Sequence, residues 1–199
     1  MADTDELAHM LSQRRAAPAK RAAIDAAIDT RFGRTQAVMF TDLVGFSRTV
    51  EAFGILHFLQ LIQESEALFL PLIAQHGGRC VKREGDSLLA LFDQPADALA
   101  CAVAMNQVTH GVNPGRSPEE RIEVCIGLGF GRVLCIGNDD AWGAELNAAS
   151  KLGEEMAKGG EVLVTGAFRD ALRGTVPDAQ FAAHGKVFGE RPAFRWIAG

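Results

Sequence analysis

The sequence predicts an α+β fold whose core is a βαββαβ unit. Apolar segments of strand length alternate with longer apolar segments of helix length, and glycines or prolines separate most of them. Two of the strand-like segments also flank a tight Glu-Gly-Asp turn at residues 84–86, which is typical of a hairpin. These observations together indicate a ferredoxin-like sheet with helices on one face and a C-terminal extension.

The first half of the core supplies a strand, a long helix and the hairpin. A short apolar strand is predicted over Gln36–Thr41, and a helix over Val50–Gln75 follows it. This helix is apolar on most sides, so it needs cover from more than one direction. The glycines at 77–78 end it, and the hairpin strands are predicted over Arg79–Lys82 and Leu88–Phe92.

The second half continues the alternation of helices and strands. Pro95 opens a helix predicted over Ala96–Val108, and a polar loop follows. Strands are expected over Ile122–Phe130 and Arg132–Ile136, with Gly131 separating them. The remaining elements are a helix over Gly143–Met156, a strand over Glu161–Thr165, a short helix, and strands over about Gln180–Val187 and Ala193–Ile197.

Residues 1–34 differ from the rest in being rich in alanine, and we predict that they form a helical extension to a domain over residues 35–199. Apolar residues in this segment form two stripes at helical spacing, with Pro18 near the start of the second helix. The stripes are Leu7, Met10 and Leu11, then Ile24, Ile28 and Phe32. Such helices would pack on the domain or on a partner chain; the alternative is a frayed tail.

Composition excludes several classes of protein. The net charge of −5 argues against a general nucleic-acid-binding protein, which would present a basic surface. No apolar run is long enough to span a bilayer, and the acidic N-terminus does not resemble a signal peptide. The four cysteines form no Cys-x-x-Cys pair and are interpreted as reduced thiols, so a cytoplasmic location is expected.

Two carboxylates lie at the end of a predicted strand and at a hairpin turn, positions that suit a binding site. Asp42 ends the first strand, and Asp86 lies at the turn of the hairpin, which a βαββαβ core places beside that strand. Two neighbouring carboxylates repel each other unless a cation lies between them, and paired Mg²⁺ ions serve phosphoryl displacement. The turn over residues 43–46 could direct N–H groups at phosphates. The alternative is that each aspartate only caps a turn.

Two further pairs are candidate nucleotide contacts. Lys82 offers a donor and Asp140 an acceptor, which match the N1 acceptor and the exocyclic amine of adenine. Asn147 and Lys151 are four residues apart on a predicted helix, so both face one side, where they could stabilise developing charge. Either pair, taken alone, is also typical of an ordinary solvated surface.

These segments together resemble the catalytic domain of the class III nucleotidyl cyclases. The similarity extends over about Gln36–Thr165 and, more loosely, over the C-terminal strands. Its motifs are FTDLVGFS around Asp42, KREGDSLLALF with Lys82 and Asp86, IGLGFG ending at Gly131, and DAWGAELNAASK from Asp140 to Lys151.

The resemblance implies conversion of a nucleoside triphosphate into its 3′,5′-cyclic monophosphate and pyrophosphate, with two Mg²⁺ or Mn²⁺ ions per site. The matched purine-reading pair implies ATP rather than GTP as substrate. The implied site comprises Asp42, Leu43 and Asp86 for metal, Lys82, Asp140, Gly45, Phe46 and Ser47 for substrate, and Asn147 and Lys151 for catalysis.

The sequence departs from the family pattern at three points. Lys151 stands where the family has an arginine, so the charge is kept but the bidentate fork is lost. The loop before Trp142 is shorter than in the animal enzymes, so Asp139 is an alternative to Asp140. Lys186 is a candidate for the additional phosphate-contacting lysine of some members.

The family resemblance also implies a head-to-tail homodimer with the active sites at the interface. The metal aspartates would come from one chain and Asn147 with its cation from the other, and Lys82 and Asp140 are likewise expected to meet across the interface. Three alternatives stay open: a non-catalytic nucleotide-binding regulator, a diguanylate-type cyclase, and a class III cyclase that uses another nucleoside triphosphate.

Overall fold

The structure, a computed structural model, describes residues 2–45, 51 and 53–197. It begins with helix α1 (Ala2–Ala16) and helix α2 (Arg21–Phe32), joined by a 3₁₀ turn that starts at Pro18. The two helices lie against each other and against the end of a strand, where Ile28 and Phe32 pack on Ile136. The N-terminal residues therefore pack on the same chain, as one of the alternatives predicted.

The rest of the described chain forms eight strands and four further helices. The strands are β1 (Gly33–Leu43), β2 (Arg79–Glu84), β3 (Ser87–Phe92), β4 (Val124–Ile136), β5 (Asp140–Trp142), β6 (Val162–Thr165), β7 (Gln180–Val187) and β8 (Arg191–Ile197). The helices are α3 (Ile55–Gln75), α4 (Pro95–Val112), α5 (Ala144–Lys151), which continues as a π turn over Leu152–Met156, and α6 (Gly166–Leu172).

The strands form one sheet in the order β2-β3-β1-β4-β6-β8-β7, with β5 paired to β4. The pairs β2–β3, β3–β1 and β1–β4 are all antiparallel, which is the ferredoxin-like arrangement that the sequence predicted. Strand β6 then adds parallel to β4, and the β7–β8 hairpin extends that edge. The predicted fold, including its C-terminal extension, is confirmed.

Helices cover both faces of the sheet: the two helices of the βαββαβ core lie on one face, as predicted, and α5, which follows the core, covers the other. The larger core lies under α3 and α4, where Met39 and Ile126 of the sheet meet Phe69 and Met105. Helix α5 lies on the opposite face, above a smaller cluster that includes Val38, Leu89 and Leu91. The central strands are apolar on both sides, so both sides need cover.

Three element boundaries differ from the prediction. Gly131 does not divide two strands, because β4 pairs with β1 without interruption from Val124 to Leu134. A glycine has no side chain to position and is accommodated in the strand. Strand β1 begins at Gly33, inside the predicted extension. Strand β5 occupies what was interpreted as a loop, because it pairs with the end of β4.

The predicted third helix is two elements, since its regular α-helical part ends at Lys151. The long helix predicted over Val50–Gln75 begins at Ile55, because Gly54 at φ +85° interrupts the chain before it; residues 50 and 52 lie outside the described part of the chain. Within the described residues, no helix combines the length and apolar character needed to cross a membrane.

Candidate active site

The structure brings Asp42 and Asp86 together at one end of the central strands. Register pairs Thr41 of β1 with Leu88 of β3, so Asp42 lies beside Ser87, whose hydroxyl donates to Asp42 Oδ1 at 2.8 Å. Asp86 occupies the turn between β2 and β3, where Gly85 takes the left-handed conformation at φ +60°. Asp42 is thus positioned by a strand, and Asp86 by the tight turn of a hairpin.

The environment of both carboxylates favours their neutral forms. Burial raises the pKa of Asp42 to about 6, against the opposing hydrogen bond from Ser87, and the charges of Asp86 and Glu154 raise it further. Burial likewise raises the pKa of Asp86, although its own N–H group and that of Leu43 act in the opposite direction. Asp86 Oδ2 is buried and has no hydrogen-bond partner among the described residues.

These features fit a divalent cation. A buried carboxylate oxygen without a partner and a neighbouring acid with a raised pKa are both relieved by a positive charge, and Mg²⁺ and Mn²⁺ favour oxygen ligands. In the described part of the chain, no group of three or more histidine, cysteine, aspartate or glutamate side chains could hold a metal. The two aspartates would therefore need backbone oxygen, water or substrate phosphate to complete the coordination, which is usual for Mg²⁺.

The turn after β1 is described only in part. Leu43 is buried, and its N–H group faces the Asp86 carboxylate. Gly45 takes φ +93°, a left-handed conformation that glycine adopts without strain. Phe46 and Ser47 lie outside the described residues, so their contact with substrate stays a prediction, as does a metal contact from the Leu43 carbonyl.

Lys82, Asp140 and Asn147 line one cleft of about 150 Å³ on the α5 face of the sheet. Phe40 and Leu89 contribute apolar surface to the same cleft, and Ser87 connects it to the carboxylate pair. Lys82 and Asp140 thus meet within one chain, which corrects the expectation that they would meet across a dimer interface. The reason is that β5 folds back along β4 and carries Asp140 to the same side as Lys82.

Asp140 is held by two hydrogen bonds, while the Lys82 ammonium group forms an exposed ion pair. The Ala141 N–H donates to Asp140 Oδ1 at 2.9 Å, and the Trp142 indole donates to Oδ2 at 3.0 Å. Lys82 Nζ lies 3.1 Å from Glu84 Oε2, with both side chains half exposed or more. Such surface pairs are weak, so a ligand could replace Glu84. Asp139, the alternative to Asp140, is not part of the cleft lining.

Asn147 and Lys151 both lie on α5, one helical turn apart. Lys151 Nζ donates to Glu155 Oε2 at 2.6 Å and lies 5.3 Å from the centre of the Phe188 ring. Phe188 is exposed, and its φ of +45° is the only positive value among the described non-glycine residues. Strained backbone of this kind often accompanies functional sites. Lys186, the candidate phosphate contact, pairs with Glu190 near the β7–β8 turn.

Glycines of β4 set the position of α5. A Cβ atom at Gly127 would lie 2.0 Å from the carbonyl oxygen of Ala149, and one at Gly129 would lie 2.6 Å from that of Glu145. The glycines in IGLGFG therefore allow the helix that carries Asn147 and Lys151 to lie directly on the sheet.

Sequence reasoning missed several side chains of this region, namely Ser87, Trp142, Glu154 and Phe188. Two of these side chains could have been identified from the sequence. Ser87 directly follows Asp86 at the start of a strand, and Trp142 lies two residues after Asp140, the spacing that places strand side chains on one face. The other two depend on how the π turn and the β7–β8 hairpin approach the site.

Comparison with known proteins places this geometry in a family. Residues 32–190 match the family described as the adenylate and guanylate cyclase catalytic domain. Over 139 residues the chain is 32% identical to an adenylate cyclase of Streptomyces coelicolor, covering 70% of this chain and 34% of that protein. The chain spans between 15% and 39% of the length of the first curated relatives it matches.

Two solved structures resemble the fold closely. An adenylate/guanylate cyclase/hydrolase from Silicibacter pomeroyi has a TM-score of 0.72 and 27% identity, with 84% of this chain and 98% of that chain covered. The adenylyl cyclase CyaB of P. aeruginosa has a TM-score of 0.70 over 84% of this chain and 96% of that chain, and at 17% identity it supports the fold alone. The chain belongs to the adenylate and guanylate cyclase catalytic domain family, the class III cyclases.

Proposed function

We propose that this chain is an adenylate cyclase that converts ATP into 3′,5′-cyclic AMP and pyrophosphate, with two divalent cations at sites shared between two copies of the chain. One observation carries the proposal. The same face of the sheet presents an acid pair with an unpartnered buried oxygen and, next to it, a cleft with a lysine donor and a fixed aspartate acceptor.

In this proposal Asp42 and Asp86 hold Mg²⁺ or Mn²⁺, and the carbonyl of Leu43 is a further candidate ligand. When bound, the ions would supply Lewis-acid activation of the ribose 3′-hydroxyl and would neutralise charge on the triphosphate. Ser87 fixes the rotamer of Asp42 through its 2.8 Å hydrogen bond, so the acid is preorganised on the rigid strand. Gly45, Phe46 and Ser47 would form the turn that faces the phosphates.

Adenine selection follows from donor and acceptor matching. Lys82 would donate to N1 of adenine, and Asp140 would accept from the exocyclic amine. Guanine presents a ring N–H and a carbonyl oxygen at these positions, so Lys82 would meet a donor and Asp140 an acceptor. The Streptomyces coelicolor relative is named an adenylate cyclase, whereas the name of the Silicibacter pomeroyi protein includes both purine activities. The choice of ATP therefore rests chiefly on Lys82 and Asp140.

Asn147 and Lys151 would act on charge that develops during the reaction. Asn147 faces the cleft from α5, and its amide can donate to the ribose or the triphosphate. Lys151 supplies a positive charge one turn further along, although it must leave Glu155 to reach a phosphate. A lysine contributes a point charge without the planar fork of arginine, which favours a lower rate than an arginine would give.

A homodimer would complete each site. The described residues at and just before the start of α3 expose large apolar side chains, with Phe53 at 52%, Leu56 at 79% and Leu59 at 49% exposure. Several exposed large apolar side chains on one short segment are typical of an interaction site. In a head-to-tail pair, the acids of one chain would face Lys151 and the cleft of the other chain, which Lys82, Asp140 and Asn147 line together, and symmetry would produce two equivalent sites.

The decisive experiment incubates the purified chain with each of the four nucleoside triphosphates and either Mg²⁺ or Mn²⁺, and identifies products by mass spectrometry. We expect cyclic AMP and pyrophosphate from ATP. Asp42→Asn and Asp86→Asn should abolish product, whereas Asp97→Asn, an exposed position on α4, should behave as the parent. Cyclic GMP as the main product would assign a different base, and ATP binding with no product under any condition would support a non-catalytic regulator.

A further inference from the structure

Trp142 is an exposed tryptophan with a specific polar contact. Its side chain is 60% exposed, yet its indole nitrogen donates to Asp140 Oδ2 at 3.0 Å. Residues i and i+2 of a strand point to the same side, so β5 places the ring beside the carboxylate. Both residues line the cleft that also holds Lys82 and Asn147.

The orientation of the Asp140 carboxylate is over-determined by this arrangement. Strand β5 is three residues long and is fixed on β4 by the pairs Ile136–Asp140 and Leu134–Trp142. Each carboxylate oxygen accepts one hydrogen bond, from the Ala141 N–H and from the Trp142 indole. Because both are donors, the carboxylate is held as an acceptor, and its remaining lone pairs are available to a ligand in the cleft.

We propose that Trp142 is a positioning residue for base selection: its indole N–H holds the Asp140 carboxylate in the orientation that accepts the exocyclic amine of adenine and disfavours the carbonyl of guanine. The inference rests on the proposed function, because it assumes that Asp140 reads the base. It adds that the selectivity of Asp140 depends on Trp142, through the N–H group rather than through the area of the ring.

Trp142→Phe removes the N–H group and keeps an aromatic ring at the position. We expect KM for ATP to rise about tenfold, the scale of one hydrogen bond to a charged group, with a much smaller change in kcat. The ratio of kcat/KM for ATP to that for GTP should fall. The matched control is Trp196→Phe on β8, because it removes the other tryptophan of the chain from a different cavity and should leave the ratio unchanged.

A double-mutant cycle distinguishes the positioning role of Trp142 from the base-reading role of Asp140. Asp140→Ala alone should raise KM for ATP, and in that background Trp142→Phe should cost nothing further. If Trp142→Phe is equally harmful without Asp140, the tryptophan acts directly by stacking and the positioning role is overturned. If Asp140→Ala leaves ATP use unchanged, the base-reading assignment itself fails and the inference fails with it.

A binding measurement tests the same point without turnover. In Trp196→Phe, Trp142 is the sole tryptophan, so its emission reports directly on the cleft. Titration with an ATP analogue that cannot cyclise should change this emission, whereas the matching GTP analogue should do so only at higher concentration. Unchanged emission while calorimetry records ATP-analogue binding would overturn the inference. Circular dichroism melts of each variant verify that the fold is retained.

Discussion

At the scale of single residues, the protonation state of Asp42 links the stability of the fold to metal binding. Its pKa of about 6 lies above its ordinary value of 3.8, chiefly because of burial. The folded state therefore binds a proton more tightly than the unfolded state does, and folding loses stability as the pH rises from about 4 through about 6. At neutral pH the ionised carboxylate works against the fold unless a cation is present.

We predict that Asp42→Asn stabilises the metal-free protein at pH 8 and has little effect at pH 4. The asparagine keeps the size of the side chain and removes the charge whose burial is unfavourable. Thermal unfolding in the presence of a chelator, measured between pH 4 and pH 8, tests this. Mg²⁺ or Mn²⁺ should raise the melting temperature of the parent and not of the variant. A difference in melting temperature that is constant across this pH range would contradict the assignment.

Lys151 is the second residue of interest, because its ion pair with Glu155 must break before it can contact a phosphate. Its ion pair with Glu155 joins side chains that are about one-third and more than half exposed, so the pair contributes little to stability. A triphosphate carries more negative charge than one carboxylate and should displace Glu155. The Phe188 ring, 5.3 Å away, keeps the ammonium group near α5 during the exchange.

We predict that Lys151→Ala lowers kcat about a hundredfold, on the scale of losing one preorganised contact to developing charge. Lys151→Arg should retain activity. Glu155→Gln frees the ammonium group and should lower KM for ATP, while Glu190→Gln frees Lys186 in the same way and compares the two lysines. Steady-state kinetics with ATP provides the measurement, and a Lys151→Ala variant with normal kcat would make Lys151 an ordinary surface residue.

At the scale of elements, the contact between β4 and α5 determines where the catalytic candidates lie. Gly127 and Gly129 of β4 face the backbone of α5, and Ala148 and Ala149 of the helix are fully buried. Small residues on both sides bring the helix axis close to the sheet. Asn147 therefore reaches the cleft only if this close packing is maintained.

We predict that Gly127→Ala and Gly129→Ala each destabilise the fold by about 1–3 kcal/mol, because a methyl group must displace helix backbone rather than a flexible side chain. Activity should fall further than the loss of folded protein accounts for, since α5 carries Asn147. Gly111→Ala is the matched control, because its added methyl group would lie within 4 Å of no other described part of the chain apart from its own helix backbone and its two sequence neighbours. Urea unfolding and kinetics on the same samples test both effects, and equal stability in all three variants would contradict the packing argument.

At the scale of the whole molecule, one chain carries both halves of the proposed site. The acid pair lies at the end of β1 and the hairpin turn, while the cation and amide lie on α5. In a two-fold symmetric pair, each active site would take one half from each chain. Two different inactive variants could therefore complement each other in a heterodimer, which a site built within one chain would not allow.

We predict that mixing Asp42→Ala with Asn147→Ala restores activity, although each homodimer is inactive alone. In the heterodimer one site carries both defects and the other carries none, so random exchange gives up to about a quarter of the parent activity. Two different affinity tags establish that heterodimers form. Tagged heterodimers that make no cyclic nucleotide would refute the shared site.

The sequence by itself determined the order of the core elements and the identity of the candidate site residues. Local patterns are sufficient for this, because strand and helix periods, glycine turns and short motifs are properties of neighbouring residues. Asp42 and Asp86 could be paired from the sequence because a βαββαβ core places the first strand beside the hairpin. The roles of these residues stay predictions that the experiments above address.

Only the tertiary structure decided what depends on contacts between distant segments. It placed α5 on the second face of the sheet, joined β4 through Gly131, and paired β5 so that Asp140 shares a cleft with Lys82 in one chain. It also showed three hydrogen bonds, from Ser87 to Asp42, from Trp142 to Asp140 and from Lys151 to Glu155. Strand register and helix packing set these contacts, and both are fixed by the burial of surface from many segments at once, which no local pattern records.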